Sequence, residues 1–259
     1  MKITCNDYTM YKKDNKYWTD ELIRHDISYL SIAVANIPDE SDLDEIITYA
    51  LSRGIEIDLH APYGINNITS TDKDLRAFSI ANMKRTIDLA AKYNLGAVTF
   101  HPGRQTQETD DPKVIWADMM DVVSELAQYA KEKQVFLGLE NMELRPYELV
   151  FTVEDLNRFA PIGENNPYFG VTIDFAHYAT LGIGLPDLNA LKLPIYAVHL
   201  SQVVNGKPHM ALTHTEGAVD IAAVCRQLEE YGYDGHVVME VNPPLWESVD
   251  ILRDVLRSI

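Results

Sequence analysis

A chain of 259 residues, 46% apolar and 24% charged, can bury a sizeable core without staples, and its composition excludes a disordered or fibrous protein. Its 39 acidic and 22 basic side chains leave a net charge of −17, which opposes nucleic-acid binding, because gripping a phosphate backbone requires a basic face. Its two cysteines, Cys5 and Cys225, suggest neither a disulfide framework nor a thiolate metal cluster. No stretch nears the roughly 18 apolar residues of a membrane span, and Met1 to Asp20 lacks a signal-peptide core, so a cytoplasmic protein is expected.

Met1 to Cys5 and Ile27 to Val34 read as the first two strands, connected through a helix at Trp18 to Arg24. Ser41 is placed to cap a helix carrying Leu43, Ile46, Ile47 and Ala50 at helical spacing, with Gly54 ending it. The third strand, Ile55 to His60, runs into a loop marked by Pro62 and Gly64, and Thr71 opens a helix through Leu75, Phe78, Met83, Ile87 and Ala91. The fourth, Ala97 to His101, ends on a Pro102-Gly103 turn before Arg104. A helix from Pro112 to Lys133 leads to the fifth strand, Val135 to Glu140, and Thr152 to Asp155 reads as another helix start. The sixth strand, Phe169 to Ile173, delivers Asp174 and, three residues later, His177. Gly182, Gly184 and Pro186 mark a loop before a short helix at Leu188 to Leu191. The seventh strand spans Ile195 to His199, and Gln202 to Ala218 reads as the longest loop. Asp220 is a helix cap, Val237 to Glu240 the eighth strand, and Trp246 to Ile259 a last helix.

Strands alternating with helices imply a parallel sheet with right-handed crossovers. Eight such units favour an α/β fold closed as a single (β/α)8 TIM barrel domain over residues 1–259, with an open doubly wound sheet as the alternative.

A barrel opens the C-terminal ends of all its strands on one face, where active sites are built. Six strands finish there on His60, His101, Glu140, Asp174, His199 and Glu240. A lone His or carboxylate at a strand end is usually a cap or a solvated side chain; six on one face point to chemistry. Glu140, Asp174, His199 and Glu240 form an oxygen-rich set suited to Mn²⁺, Co²⁺, Zn²⁺ or Mg²⁺. His60, His101 and His177 lie on the adjacent arc, able to hold a second, zinc-like ion or to bind a hydroxylated substrate. Arg104 and Arg145 follow strand ends and could contact a phosphate or pair with surface carboxylates. By contrast, His25 and His236 read as ordinary surface or strand-flanking side chains, and Asp39, Asp42, Asp44 and Glu45 as a solvated helix face.

His60-Ala61-Pro62-Tyr63, His101-Pro102-Gly103, Leu139-Glu140-Asn141, Asp174-Phe175-Ala176-His177, Val198-His199-Leu200, Glu216-Gly217 and Tyr233-Asp234-Gly235 with Glu240 together resemble the xylose isomerase-like barrel superfamily over nearly the whole chain. In its isomerase and epimerase branch the resemblance implies one divalent ion on Glu140, Asp174, His199 and Glu240. Glu140 and Glu240 would also flank the substrate as the acid and base of proton transfer through a metal-stabilised enediolate. His177 would orient a substrate oxygen. The branch often carries an Arg in the loop after the seventh strand, and here Lys207 or His209 would have to replace it. The abasic-site endonuclease branch holds three zinc ions with matches to His60, His101 and His177, but also needs an Asp-x-His pair that Lys207-Pro208-His209-Met210-Ala211 does not supply.

The resemblance therefore implies a metal-dependent isomerase or epimerase of a small sugar, sugar phosphate or keto-polyol. A multi-zinc phosphoesterase and a keto-polyol dehydratase are the alternatives. One divalent ion is expected, a second is allowed, and a homo-oligomer is left open.

Overall fold

Short apolar runs of this chain become inner strands because they are buried on both faces: every residue of Tyr29–Ala33, Leu137–Glu140 and Phe169–Asp174 is buried. The computed structural model describes residues 1–6, 14–37 and 39–259. Within them β1 (Lys2–Asn6), β2 (Tyr29–Ala33), β3 (Glu56–His60), β4 (Val98–Phe100), β5 (Leu137–Glu140), β6 (Phe169–Asp174) and β7 (Ile195–Leu200) pair in sequence order. The eighth barrel strand, β10 (His236–Met239), follows an antiparallel pair, β8 (Gln202–Val204) and β9 (Lys207–Met210), and bonds to both β7 and β1. All barrel pairings are parallel, so the expected closed (β/α)8 barrel is the observed architecture.

Around it run α1 (Tyr17–Arg24), α2 (Glu40–Ser52), α3 (Lys73–Tyr93), α4 (Pro112–Lys133), the short α5 (Val153–Asn157), α6 (Ala160–Gly163) and α7 (Phe175–Ala179), then α8 (Ile221–Tyr231) and α9 (Leu245–Ser258). Each long helix buries one stripe against the sheet, such as Ile115, Met119, Val122, Val123, Leu126 and Ala130 of α4. Among the described residues, no helix is long and apolar enough to cross a membrane.

Aspartates start four of the long helices. Asp39, Asp72, Asp111 and Asp220 each accept a hydrogen bond from a backbone N–H of the first turn. This corrects the expectations for Ser41 and Thr71. Ser41 lies inside the first turn of α2 and donates its own N–H to Asp39, and Asp72 rather than Thr71 caps α3. Nor are the acidic residues of α2 a merely solvated face, since Asp44 accepts from Lys92 and Tyr93.

One other expectation changes. The stretch read as one long loop contains the β8–β9 hairpin, turned by Asn205 and Gly206, both at positive φ. Gln202 holds its base, donating to the Val219 carbonyl and accepting from the Val219 N–H. His236 opens β10, the strand-flanking place expected for it, and is half-buried: it stacks on Tyr29 at 3.4 Å and meets Thr4 Oγ1 at 3.2 Å on the barrel floor. His25 lies flat against Trp246, with ring centroids 3.8 Å apart. Cys5 and Cys225 are buried free thiols.

Candidate metal and active site

Strand register sets the site. A β-bulge at Val171/Thr172 shifts β7 so that Thr172 faces Ala197 and Asp174 faces His199. His199 in turn pairs with Val238 on β10, and Glu240 follows two residues later on the same face. On the other arc His60 is level with Thr99, and His101 follows Thr99 by two. Side chains of Glu140, Asp174, His199 and Glu240 thereby offer donor atoms all within 4.8 Å of one another, every one of them buried. His199 Nδ1 lies 2.8 Å from Glu140 Oε1 and 3.4 Å from Glu240 Oε2.

The Asp174-to-His177 spacing is that of a helix cap. Asp174 precedes α7, and its Oδ1 accepts the His177 N–H at 2.7 Å. This occupies one carboxylate oxygen. The other, Oδ2, is buried with no hydrogen-bond partner among the described residues, 3.6 Å from His177 Nε2. Asn141 extends the β5–β6 ladder with its side chain: Nδ2 donates to the Asp174 carbonyl, and Oδ1 accepts the Asp174 N–H. The Asn141 carbonyl also accepts from His177 Nδ1 at 2.9 Å.

Two further donor groups adjoin the first. His60 and His101 both bring Nε2 to Glu140 Oε2, at 3.3 and 3.2 Å, and Asp174, His177 and His209 form a second trio. His209 arrives on the hairpin, its N–H donating to Ser201 Oγ and its carbonyl accepting from Asn242. It lies 3.3 Å from His177 Nε2 and 3.7 Å from Glu240 Oε2. Lys207, on the same hairpin, is exposed and does not line the cavity.

Burial disfavours charge throughout the cluster, and the partners decide which groups keep it. Burial would lower His199, but the Glu240 and Glu140 carboxylates outweigh it and hold the imidazole well above its ordinary value. The same burial would raise Glu140 and Glu240; His199 and neighbouring hydrogen bonds instead hold Glu140 well below the carboxylate range and Glu240 at about 2. His177 rises to about 9 against its own burial, through Asp174, Glu140 and Glu143. Burial dominates at Asp174, which is raised, and at His101, which is lowered.

This donor set fits a divalent cation. A backbone carbonyl only accepts, so His60 Nδ1 facing Ala61 O and His177 Nδ1 facing Asn141 O must carry their protons. Each Nε2 is then left turned toward the carboxylates, to be filled by a proton or by a metal, with the tautomer fixed from behind. The unpartnered Asp174 Oδ2 has the same implication.

A cavity of about 470 Å³ opens over the cluster, its lining including His60, His101, His177, His209 and Glu240. Asn6 also lines it and donates to Glu240 Oε1 at 2.8 Å. The sequence reading ended the first strand at Cys5 and missed Asn6, although strand alternation places it two residues after Thr4 on the inner face. Glu143 and Glu148 were missed as well, because they sit on the irregular segment after β5, where no periodicity signals an orientation.

Residues 24–259 match the family model described as xylose isomerase-like TIM barrel. The chain is 25% identical over 219 residues to an uncharacterized Methanocaldococcus jannaschii protein, MJ1311, covering 79% of this chain and 71% of that one. Among solved structures it resembles a D-tagatose 3-epimerase-like protein, with a TM-score of 0.83, 21% identity and coverage of 100% and 98% of the two chains. It also resembles the IolI protein with a bound zinc atom, with a TM-score of 0.76, 22% identity and coverage of 100% and 99%. A family match over nearly the whole length, on a closed eight-stranded barrel, means that the chain belongs to the xylose isomerase-like TIM barrel family.

Proposed function

We propose that this protein is a divalent-metal-dependent isomerase or epimerase acting on a small sugar, sugar phosphate or keto-polyol. The observation that carries the reading is the convergence of Glu140 and Glu240 on one buried His199 nitrogen, with Asp174 beside them, beneath a cavity wide enough for a sugar. Likeness to a D-tagatose 3-epimerase-like structure and to a zinc-bound one supports it.

Glu140, Asp174, His199 and Glu240 would hold the ion, which when bound supplies Lewis-acid chemistry that acidifies a C–H beside a carbonyl. Glu140 and Glu240 are carboxylates, so either can accept that proton. One carboxylate removes it and the other returns one, to the opposite face of the same carbon in epimerisation or to the adjacent carbon in isomerisation. Asn6 orients Glu240 through its amide. His177, fixed by the Asn141 carbonyl, turns Nε2 toward the cavity to orient a substrate oxygen.

The test is turnover of a ketose panel with Glu140→Gln and Glu240→Gln protein. Each is expected to lose about 10²–10⁴-fold, the usual contribution of a positioned acid or base. Full turnover in both variants on a verified substrate would remove the two-carboxylate mechanism.

The additional His60–His101–Glu140 and Asp174–His177–His209 groups favour a second reading, a multi-zinc phosphoesterase. Two or three zinc ions per chain, lost on changing His60 or His101, with phosphodiester cleavage, would establish it over the first. Loss of water in the product mass would instead indicate a dehydratase.

A further inference from the structure

Beside the cavity over the metal cluster lies a second, larger one of about 750 Å³, a trough between α2 and α3. The two adjoin along the loops after β2 and β3. Ala33 lines the first and Val34 the second, Gly64 the first and Ile65 the second, and Tyr63 lines both. Tyr63 is the partition, and its ring meets those of His60 and His101 with centroids 5.3 and 5.9 Å apart. Next to it the partition drops. A Cβ at Gly64 would meet no described atom within 4 Å, and Arg104 holds this stretch of loop in place, Nη2 donating to the Gly64 carbonyl at 2.7 Å and Nη1 to the Asn66 carbonyl at 3.3 Å.

The trough offers different chemistry from the cavity. Ile37 and Leu43 are buried in it, while Ile65 and Phe78 line it with 74% and 52% of their surface exposed. Every charged side chain that lines it is already in an ion pair: Glu40 with Arg85 and Asp44 with Lys92, each at 3.0 Å from α2 to α3, and Asp88 with Lys133 at 2.6 Å. Asn82 likewise donates to Asn66 at 2.9 Å. An ionic ligand would find no unmatched charge there, whereas an uncharged apolar group would cover side chains that otherwise face water. Because the trough continues from the cavity past Tyr63 and Gly64, one molecule can fill both.

We propose that the trough holds an uncharged apolar aglycone, and that the substrate class is a keto-sugar carrying such a group. This rests on the reading of the cavity as a sugar site. In a glycoside the anomeric carbon is tied up as an acetal, so the carbonyl beside the acidified C–H stands on another ring carbon, and the substrate is a keto-glycoside. Proton transfer over the cluster leaves the bond to the aglycone intact.

The experiment is calorimetric binding of methyl and phenyl 3-keto-β-D-glucoside to the metal-loaded protein, in wild type, Ile65→Ser, Phe78→Ser and the double variant. Turnover of both glycosides, D-fructose and D-tagatose is measured alongside. Both substituted side chains are exposed and stand outside the metal cluster. Wild type is expected to bind the phenyl glycoside at least about tenfold more tightly than the methyl one, the effect of taking one aromatic ring out of water. The double variant is expected to bind the two within about twofold of each other, with its affinity for the methyl glycoside unchanged. Equal affinities in wild type, no binding of the phenyl glycoside, or a phenyl preference intact in the double variant overturns the proposal, and turnover of D-fructose or D-tagatose would then leave the isomerase reading standing. A phenyl preference that vanishes in the double variant, with no sugar turned over, upholds the trough and counts against the isomerase reading.

Discussion

Asn141 shows how much of the site depends on a residue that touches no ligand. Its amide replaces a rung of backbone ladder, fixing the end of β6 against β5, and its carbonyl fixes the ring of His177. Asn141→Ala removes the two side-chain bonds and leaves the Asp174 N–H and carbonyl buried without their partner. We expect a loss of about 2–3 kcal/mol in denaturant unfolding and a fall of about 10–100-fold in metal affinity, read by titration with Mn²⁺ or Zn²⁺. Wild-type metal affinity in a folded Ala variant would show that the ladder extension does not position Asp174. The sequence makes this residue visible only as part of the Leu139-Glu140-Asn141 motif. Its role depends on a partner 33 positions away, which no local pattern encodes.

At the level of elements, every barrel strand was legible as a short apolar run, with ends shifted by one or two residues. The long helices were legible from their spacing and punctuation, and α4 spans the predicted Pro112 to Lys133, whereas the short α6 and α7 were not expected. What failed had physical causes. Asp39 and Asp72 hold the extended backbone position directly before the first helical residue and accept the first-turn N–H groups, whereas Ser41 is already inside its helix and Thr71 stands one residue too early. The β8–β9 hairpin carried a signal, Asn205-Gly206 between short runs, but its strands hold Lys207, Pro208 and His209, which read as loop. Gly170 of β6 tests the close approach of strands to their connections. A Cβ there would press into the Pro194 carbonyl oxygen and meet Tyr196 Cε2 at 2.7 Å, so Gly170→Ala is expected to cost about 2–3 kcal/mol by calorimetry, the scale of overpacking a rigid site. At the opposite end of the barrel, burial, with Lys2 and the N-terminus adding to it, pushes His236 down to about 4. The folded protein therefore keeps this imidazole neutral where the unfolded chain protonates it. Its contribution is complete above pH of about 6.5 and disappears as pH falls toward 4, on the order of 1–2 kcal/mol after solvent screening. His236→Gln should flatten that part of the stability–pH curve, and an unchanged slope would place the acid sensitivity elsewhere.

The whole molecule combines an excess of acidic side chains, a net charge of −17, with a buried cluster of carboxylates and imidazoles at one end of its barrel. Both features oppose the compact state until cations neutralise them. A divalent ion that binds only the folded chain, present at 100 times its dissociation constant, should add about 2.7 kcal/mol to stability. For a barrel of this size that is a rise of roughly 5–10 °C in Tm, reversed by chelator and reduced in Glu240→Gln protein. A melting temperature indifferent to Mn²⁺, Co²⁺, Zn²⁺ and Mg²⁺ would argue against a metal in the cluster. The six strand-end residues were legible at this scale because a barrel gathers strand ends whatever lies between them. At the mouth Arg104 and Arg145 were legible as residues following strand ends, but Glu143 and Glu148 were not, because they occupy an irregular connection whose path depends on what it packs against.

The divided carboxylate of Asp174 makes a dead but intact protein accessible by a single atom exchange. Asparagine keeps a carbonyl oxygen where Oδ1 accepts the His177 N–H, so the start of α7 survives. It replaces the unpartnered Oδ2 with an amide nitrogen, which cannot ligate a cation and carries no charge. Asp174→Asn should therefore melt close to the chelated wild type while losing turnover. If the proposed sugar chemistry holds, such a protein incubated with a cell extract and analysed by mass spectrometry is expected to retain a sugar unconverted, and the substrate can be read from what it holds.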